Sequence, residues 1–332
     1  MYMDRKDFGY NLKNEVDKLL DSCNITAKTK LKEVDKDNGL KYNAILVGED
    51  VSDAYIGVSI YYDKYYDMYI EGDISLWEAA QEVCRIYEMN IDKMTDVNKD
   101  VLSILDWEYV KDRISFVILN KELNRQYLED IPNRFPEGMD DLCLIYNINL
   151  SGDMSLKVNN NLLDKWNISA MELHEAAKKS TEKIMQPTVR EIQEVLKEQL
   201  GELGEEMYRI MSELDNSITN VKLETYVITS KNNMNGAGAI LLESVQEKLK
   251  ELSHGREFFI VPSSKHEMLA IPDNGIIKVD EIKDMVQEVN FTEVRDKDIL
   301  SNNVYKYNPV SKEIKTLTNE PIIGERQHRM SR

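Results

Sequence analysis

Cysteine is scarce in this chain. The three among 332 residues, Cys23, Cys84 and Cys143, lie about 60 residues apart and fit neither a disulfide framework nor paired zinc spacing, so they read as free thiols of a reducing compartment. Cys84 in QEVCRIY and Cys143 in LCLIY stand in apolar context, where a thiol is an ordinary core residue. Basic residues are in deficit, 42 Lys and Arg against 60 Asp and Glu, for a formal charge of −18. That charge opposes nonspecific attraction to nucleic acid and to anionic lipid, both of which recruit basic surfaces. The acids are spread along the chain, which argues against a mimic of nucleic-acid charge. Long apolar runs are missing too. MYMDRKDFGYNLK holds no signal-peptide core, and no segment reaches the roughly 18 uninterrupted apolar residues of a membrane span. The expectation is a cytoplasmic protein with no membrane association.

Most catalytic signatures are absent as well. There is no GxSxG elbow and no Walker A lysine motif. The HEAAK that begins at His174 lacks the second histidine of HExxH, so zinc protease chemistry is excluded there. NGAGAILL offers Gly236 and Gly238 but not the third glycine of a dinucleotide fingerprint. DKDNG begins like a calcium loop, yet Leu40 stands where glycine is needed and Leu46 where a bidentate Glu is needed. Pro272-Asp273 followed by Glu281-Ile282-Lys283 resembles a nuclease pattern, but the spacing leaves little room for an intervening strand and Asp280 reads as a helix cap. No cofactor and no metal are expected.

What is present is a foldable chain. With 42% hydrophobic and 31% charged residues it can bury a core, and its length suits two compact modules. Leu12, Val16, Leu19 and Leu20 form one stripe of a helix from Asp7 to Leu20. Asn38-Gly39 marks a hairpin, because both positions of such a turn favour positive φ. Ser75 with Glu78 and Ser169 with Glu172 are capping boxes. DRISFVILNKEL reads as a buried helix before a loop with Pro132, Pro136 and Gly138; LCLIYNINL and MSLKV pair around Ser151-Gly152-Asp153. An acidic helical connector spans 188–222. The region 223–318 follows as β-β-α-β-β-α-β-β, with GAGAILL as a strand, Ser244 and Asp280 as helix caps, and an Ile282, Met285, Val286, Val289 stripe. A disordered tail covers 319–332, and 1–187 forms the N-terminal module. The class is α+β, antiparallel hairpins with helices packed on one face.

Two stretches draw functional attention. AYIGVSIYYDKYYDMYI places Tyr62, Tyr65, Tyr66 and Tyr69 on one helical face, either an aromatic packing surface or one that a protein partner meets. EFFIVPSSKHEMLAIP sets Ser263, Ser264, His266 and Glu267 between two strands. Ser264 and His266, two apart, share a face of an extended strand, while alternation turns Glu267 away from His266. Pro262 ends the strand, and the two serines bond the turn backbone. The turn reading leads; a display surface and a Ser/His hydrolytic pair are the alternatives.

LNKELNRQYLEDIPNR, DDLCLIYNINL with LLDKWNISAMELHEAAKKS, and YVITSKNNMNGAGAILL with FFIVPSSKHEMLAIPD together resemble an uncharacterised bacterial family of unknown function, from about residue 5 to about residue 318. The resemblance implies one evolutionary unit and an accessory role in a mobile element or phage, and it supplies no catalytic residue. The expected function is a non-enzymatic protein-interaction factor whose partner is another protein. The alternative is a hydrolase using Ser264 and His266.

Overall fold

The structure is a computed structural model that describes residues 3–51, 54–150, 155–201 and 224–322, with Leu203, Glu206 and Arg209. Residues 3–106 form one compact unit, and residues 107–149 with 155–322 form another.

The first unit begins with helix α1 (Arg5–Ser22), where the Asp4 carboxylate accepts the Asp7 N–H at 2.8 Å and so caps an otherwise unbonded donor. Phe8, Leu12, Val16 and Leu20 recur every four residues and form its buried stripe. Strands β1 (Lys28–Asp35), β2 (Lys41–Val51) and β3 (Ala54–Tyr61) make an antiparallel meander. Asn38 and Gly39 both take positive φ, 64° and 69°, as the hairpin signal requires. Helix α2 (Asp63–Glu71) stops at Gly72, and α3 (Leu76–Ser103) starts from the Ser75–Glu78 box, both of whose backbone bonds form. Alternate residues Ile45, Val47 and Ile60 meet the α1 stripe and Ala79, Ala80 and Val83 of α3 in one core.

The second unit holds two antiparallel sheets. In the smaller, β6 (Leu142–Asn149) pairs with β4 (Ile114–Asn120), and also with β5 (Asn133–Arg134) and β7 (Ser155–Lys157). The stretch read as a buried helix is therefore strand β4. All seven of its residues are buried, and a short run apolar on every side carries no period that separates helix from strand. The turn at Ser151-Gly152-Asp153 lies outside the described residues, although β6 and β7 pair on either side of it. Short helices α4 (Trp107–Val110), α5 (Arg125–Leu128) and α6 (Asn160–Trp166) lead to α7 (Ala170–Met185), which starts from the complete Ser169–Glu172 capping box. Thr181 Oγ1 of α7 accepts the buried Phe116 N–H of β4 at 3.0 Å and fastens helix to strand.

The larger sheet has the order β13-β12-β10-β11-β9-β8, from β8 (Thr188–Glu191), β9 (Tyr226–Thr229), β10 (Phe258–Ser264), β11 (Glu267–Pro272), β12 (Tyr305–Tyr307) and β13 (Ile314–Thr316). Residue 188, the expected start of a helical connector, is the first of a strand; α8 (Ile192–Leu200) follows it. The segment Gly236–Leu241 is a buried 3-10 helix and not a strand. A Cβ on Gly236 would lie 2.2 Å from the Ser230 nitrogen, so glycine lets the chain pass against the end of β9. Because that segment runs straight into α9 (Glu243–Ser253), Leu242 occupies the cap position and Ser244 lies inside the helix. Likewise α10 (Val279–Thr292) is preceded by Lys278, and Asp280 sits within its first turn, where its charge complements the helix dipole. Ile282 and Val286 of α10 are buried, whereas Met285 and Val289 stay 45% and 38% exposed, so half of the expected stripe faces outward. The two sheets are joined through Asp141, whose carboxylate accepts the Tyr305 hydroxyl at 2.6 Å and the Ser301 hydroxyl at 2.5 Å. The class is α+β, as the hairpins imply. Among the described residues no helix is long and apolar enough to cross a membrane.

Candidate functional site

Strands β10 and β11 turn through Lys265 and His266, with Ser264 opposite Glu267, so PSSKHE is the tip of a tight hairpin. Strand β10 continues past Pro262 to Ser264, with a register irregularity between them. Backbone groups of the tip are taken up by its surroundings. His266 O accepts the Gly236 N–H at 3.0 Å and the Thr229 hydroxyl at 2.8 Å, and the Lys265 N–H donates to Asp298 O at 2.8 Å. Ser264 Oγ accepts the His266 N–H at 3.1 Å, while Ser263 donates to Glu267 Oε1 at 3.0 Å. The two serines thus divide their work: one bonds the backbone, the other a side chain.

The His266 ring is held on both sides. Its Nδ1 accepts the Asn235 backbone N–H at 3.0 Å, which places the ring proton on Nε2, and Nε2 faces Asp298 Oδ1 at 3.1 Å. Burial holds the His266 pKa below its ordinary value, against the Asp298 charge that would raise it; Lys265 and Arg295 add to the depression. Burial alone would raise the Asp298 pKa, but the neighbouring Lys265 and His266 outweigh it and hold the carboxyl below the usual range. Arg295 Nε lies 3.0 Å from the other Asp298 oxygen. The neutral imidazole therefore has no ring nitrogen open to take the Ser264 proton. The acid that orients His266 is Asp298, 32 residues on, which alternation along one strand has no means to reveal.

Tyr62, Tyr66 and Tyr69 gather around Phe8 in the first unit, while Tyr65 lies beside Glu82 and Arg85 of α3. Tyr62 is buried, and the Phe8 ring centroid lies 5.5 Å from that of Tyr66 and 5.1 Å from that of Tyr69. Tyr65, Tyr66 and Tyr69 are half-buried against the same core. The aromatic face packs on helix α1, with Arg5 over the Tyr66 ring at 4.9 Å.

A groove of about 720 Å³ opens in the second unit. Its walls are the chain leaving β5 (Arg134 to Gly138), the face of α7 that carries His174 and Lys178, and the turn between β12 and β13. Met171, His174 and Lys178 follow i, i+3, i+7 spacing, so they share one side of α7. Arg134 approaches Met171 Sδ at 3.7 Å. His174 Nδ1 lies 3.0 Å from the hydroxyl of Tyr146, a buried residue of β6. Burial pushes the Tyr146 phenol up to about 12 and the His174 pKa below its ordinary value, and Arg134 and Lys178 depress His174 further against the pull of Glu175. Phe116, Phe135, Leu144 and Leu241 supply apolar surface. In the sequence His174 only opens the HEAAK that lacks the second histidine of a zinc motif. Its spacing from Lys178 was legible, but Arg134 and Tyr146 reach it through sheet pairing.

Among the described residues, no group of three His, Cys, Asp or Glu side chains could hold a metal ion. No curated protein and no solved structure matches the chain. The family model described as "Family of unknown function (DUF5688)" matches residues 5–309. The shared unit thus runs from the start of α1 to just past β12, leaving β13 and the groove wall from Ser311 to Lys315 beyond the match, and the chain belongs to this family of unknown function.

Proposed function

We propose that the protein is a non-enzymatic interaction factor, an accessory protein in the mobile-element or phage setting that the resemblance implies, and that the groove of the second unit is where it engages a protein partner. The observation that carries this reading is the contrast between two histidines. His266 has both ring nitrogens occupied inside a hydrogen-bonded turn, whereas His174 lines an open groove beside Arg134 and Lys178. Volume and lining support binding: the groove falls within the several-hundred-Å³ range of ligand sites and mixes apolar walls with a few polar groups. The hydrolase alternative needs a base facing Ser264, and the bonds of His266 give it no support.

The test is affinity purification of the tagged protein from the organism that makes it, beside His266→Ala and an Arg134→Ala, Lys178→Ala double variant. A stoichiometric protein partner retained by wild type and His266→Ala, and lost from the double variant, is expected. A partner retained by all three, or a substrate turned over by wild type and not by His266→Ala, overturns the reading.

A further inference from the structure

The groove carries a charge at odds with the rest of the chain. Four cations line it, on a protein of net charge −18: Arg134, Lys178, Lys312 and Lys315. Two of them are committed. Lys312 Nζ lies 2.8 Å from Glu247 and 3.6 Å from Glu243, and Lys315 lies 3.6 Å from Glu313. Arg134 and Lys178 have no carboxylate partner among the described residues, and Glu137 is the one lining acid left over. Arg134 approaches Met171 Sδ at 3.7 Å, and Met171 shares one side of α7 with His174 and Lys178, so both uncommitted cations stand at the α7 wall of the groove. Phe135 stands next to Arg134 in the chain, is 52% exposed, and has Lys121 over its ring at 4.6 Å.

We infer that the groove recognises an acidic segment of a partner polypeptide, an Asp or Glu carboxylate received between Arg134 and Lys178 with flanking apolar side chains laid against Phe135, Leu144 and Leu241. This rests on the proposed function and deepens it, since it states the chemistry of the partner. A carboxylate suits the site physically: the Arg134 guanidinium offers paired donors to its two oxygens, and the Lys178 ammonium, on the α7 wall of the groove, adds a second charge-assisted bond. His174, held by Tyr146 at Nδ1, reports occupancy, because a carboxylate brought near the ring raises its pKa.

The experiment uses the full chain and blocked pentapeptides that differ in one central side chain, Glu, Gln or Lys, between two leucines. Binding is read from the His174 ring proton signal by NMR, which is resolvable among four histidines. The Glu peptide is expected to shift that signal and raise the His174 pKa. It should bind about tenfold more tightly than the Gln peptide, the size of one charge-assisted hydrogen bond. Arg134→Glu with Lys178→Glu should reverse the preference toward the Lys peptide, and Lys178→Gln alone, at an exposed helix position, should narrow it. Equal binding of the three peptides overturns the inference while leaving the proposed function standing if the partner still depends on Arg134 and Lys178. Free phenylacetate matching the Glu peptide would also overturn it, since the site would then read a small acid and not a segment. No shift of His174 with any probe, together with no retained partner, overturns both.

Discussion

His266 Nδ1 accepts the backbone N–H of Asn235 at 3.0 Å, and this one bond decides the protonation state of the PSSKHE turn. Protonating Nδ1 would set two N–H groups against each other, on top of the cost of burying charge near Lys265 and Arg295. Asp298 offsets part of that cost. Because the folded pKa of His266 lies below its unfolded value, the unfolded chain binds the proton first. Stability is therefore fully present above about pH 6.5 and declines as pH falls through the window between that value and the folded pKa. His174, shifted the same way, adds to the slope. Thermal melts at pH 7.5 and 5.5 should show a lower midpoint at 5.5, with the difference reduced in His266→Gln. A His266 titration by NMR at or above the ordinary value would refute the assignment.

Tyr305 and Tyr307 stand on the same strand, both fully buried, with opposite accounts for their hydroxyls. Tyr305 donates to Asp141, while the Tyr307 hydroxyl has no partner among the described residues. Burial holds the Tyr305 phenol well above its usual pKa and pushes Tyr307 up to about 12, so both stay neutral. Tyr305→Phe removes a donor from Asp141 and should cost about 1.5–3 kcal/mol, the range for a bond to a charged group. Tyr307→Phe removes a buried hydroxyl that bonds no described residue and should be neutral or stabilising. Denaturant unfolding of both variants checks the contrast; equal losses would contradict it.

The fold was legible where local chemistry is decisive. Two capping boxes, the Asn38-Gly39 turn and the β10–β11 hairpin all form where the residues place them. The errors share a cause. Ile114–Asn120 is buried on both faces, so its pattern has no period; Gly236–Leu241 takes its shape from contact with Ser230 and the PSSKHE turn, which no local signal encodes. The site followed the same division. The turn could be read from PSSKHE, but Asp298, Arg134 and Tyr146 arrive from distant strands and loops.

Gly138 offers a test of how the two sheets of the second unit fit. Its φ is +75°, and a Cβ there would lie 1.8 Å from the Ile314 carbonyl oxygen, against the edge strand β13. Gly72, at φ +85°, has open space around the same position. Gly72→Ala should cost only the left-handed strain, about 1–2 kcal/mol. Gly138→Ala should exceed it clearly, because the backbone must move as well. It should also disturb the groove that Gly138 lines and weaken the Glu peptide. Comparable melting points for the two variants would show that β13 yields freely.

The tyrosine face separates packing from display. Phe8 is fully buried at the centre of Tyr62, Tyr66 and Tyr69, so Phe8→Ala should cost about 3–5 kcal/mol, the range for losing a buried aromatic side chain. Tyr66→Phe is the finer probe. Its hydroxyl reaches Met3 O only at 3.4 Å, so removing it should leave stability nearly unchanged while keeping the ring against Phe8 and under Arg5. If partner capture survives Tyr66→Phe and Tyr69→Phe, the hydroxyls serve no recognition and the rings belong to the core. If either substitution abolishes capture at unchanged melting temperature, the face is a second contact surface, and the groove is then not the sole site of binding.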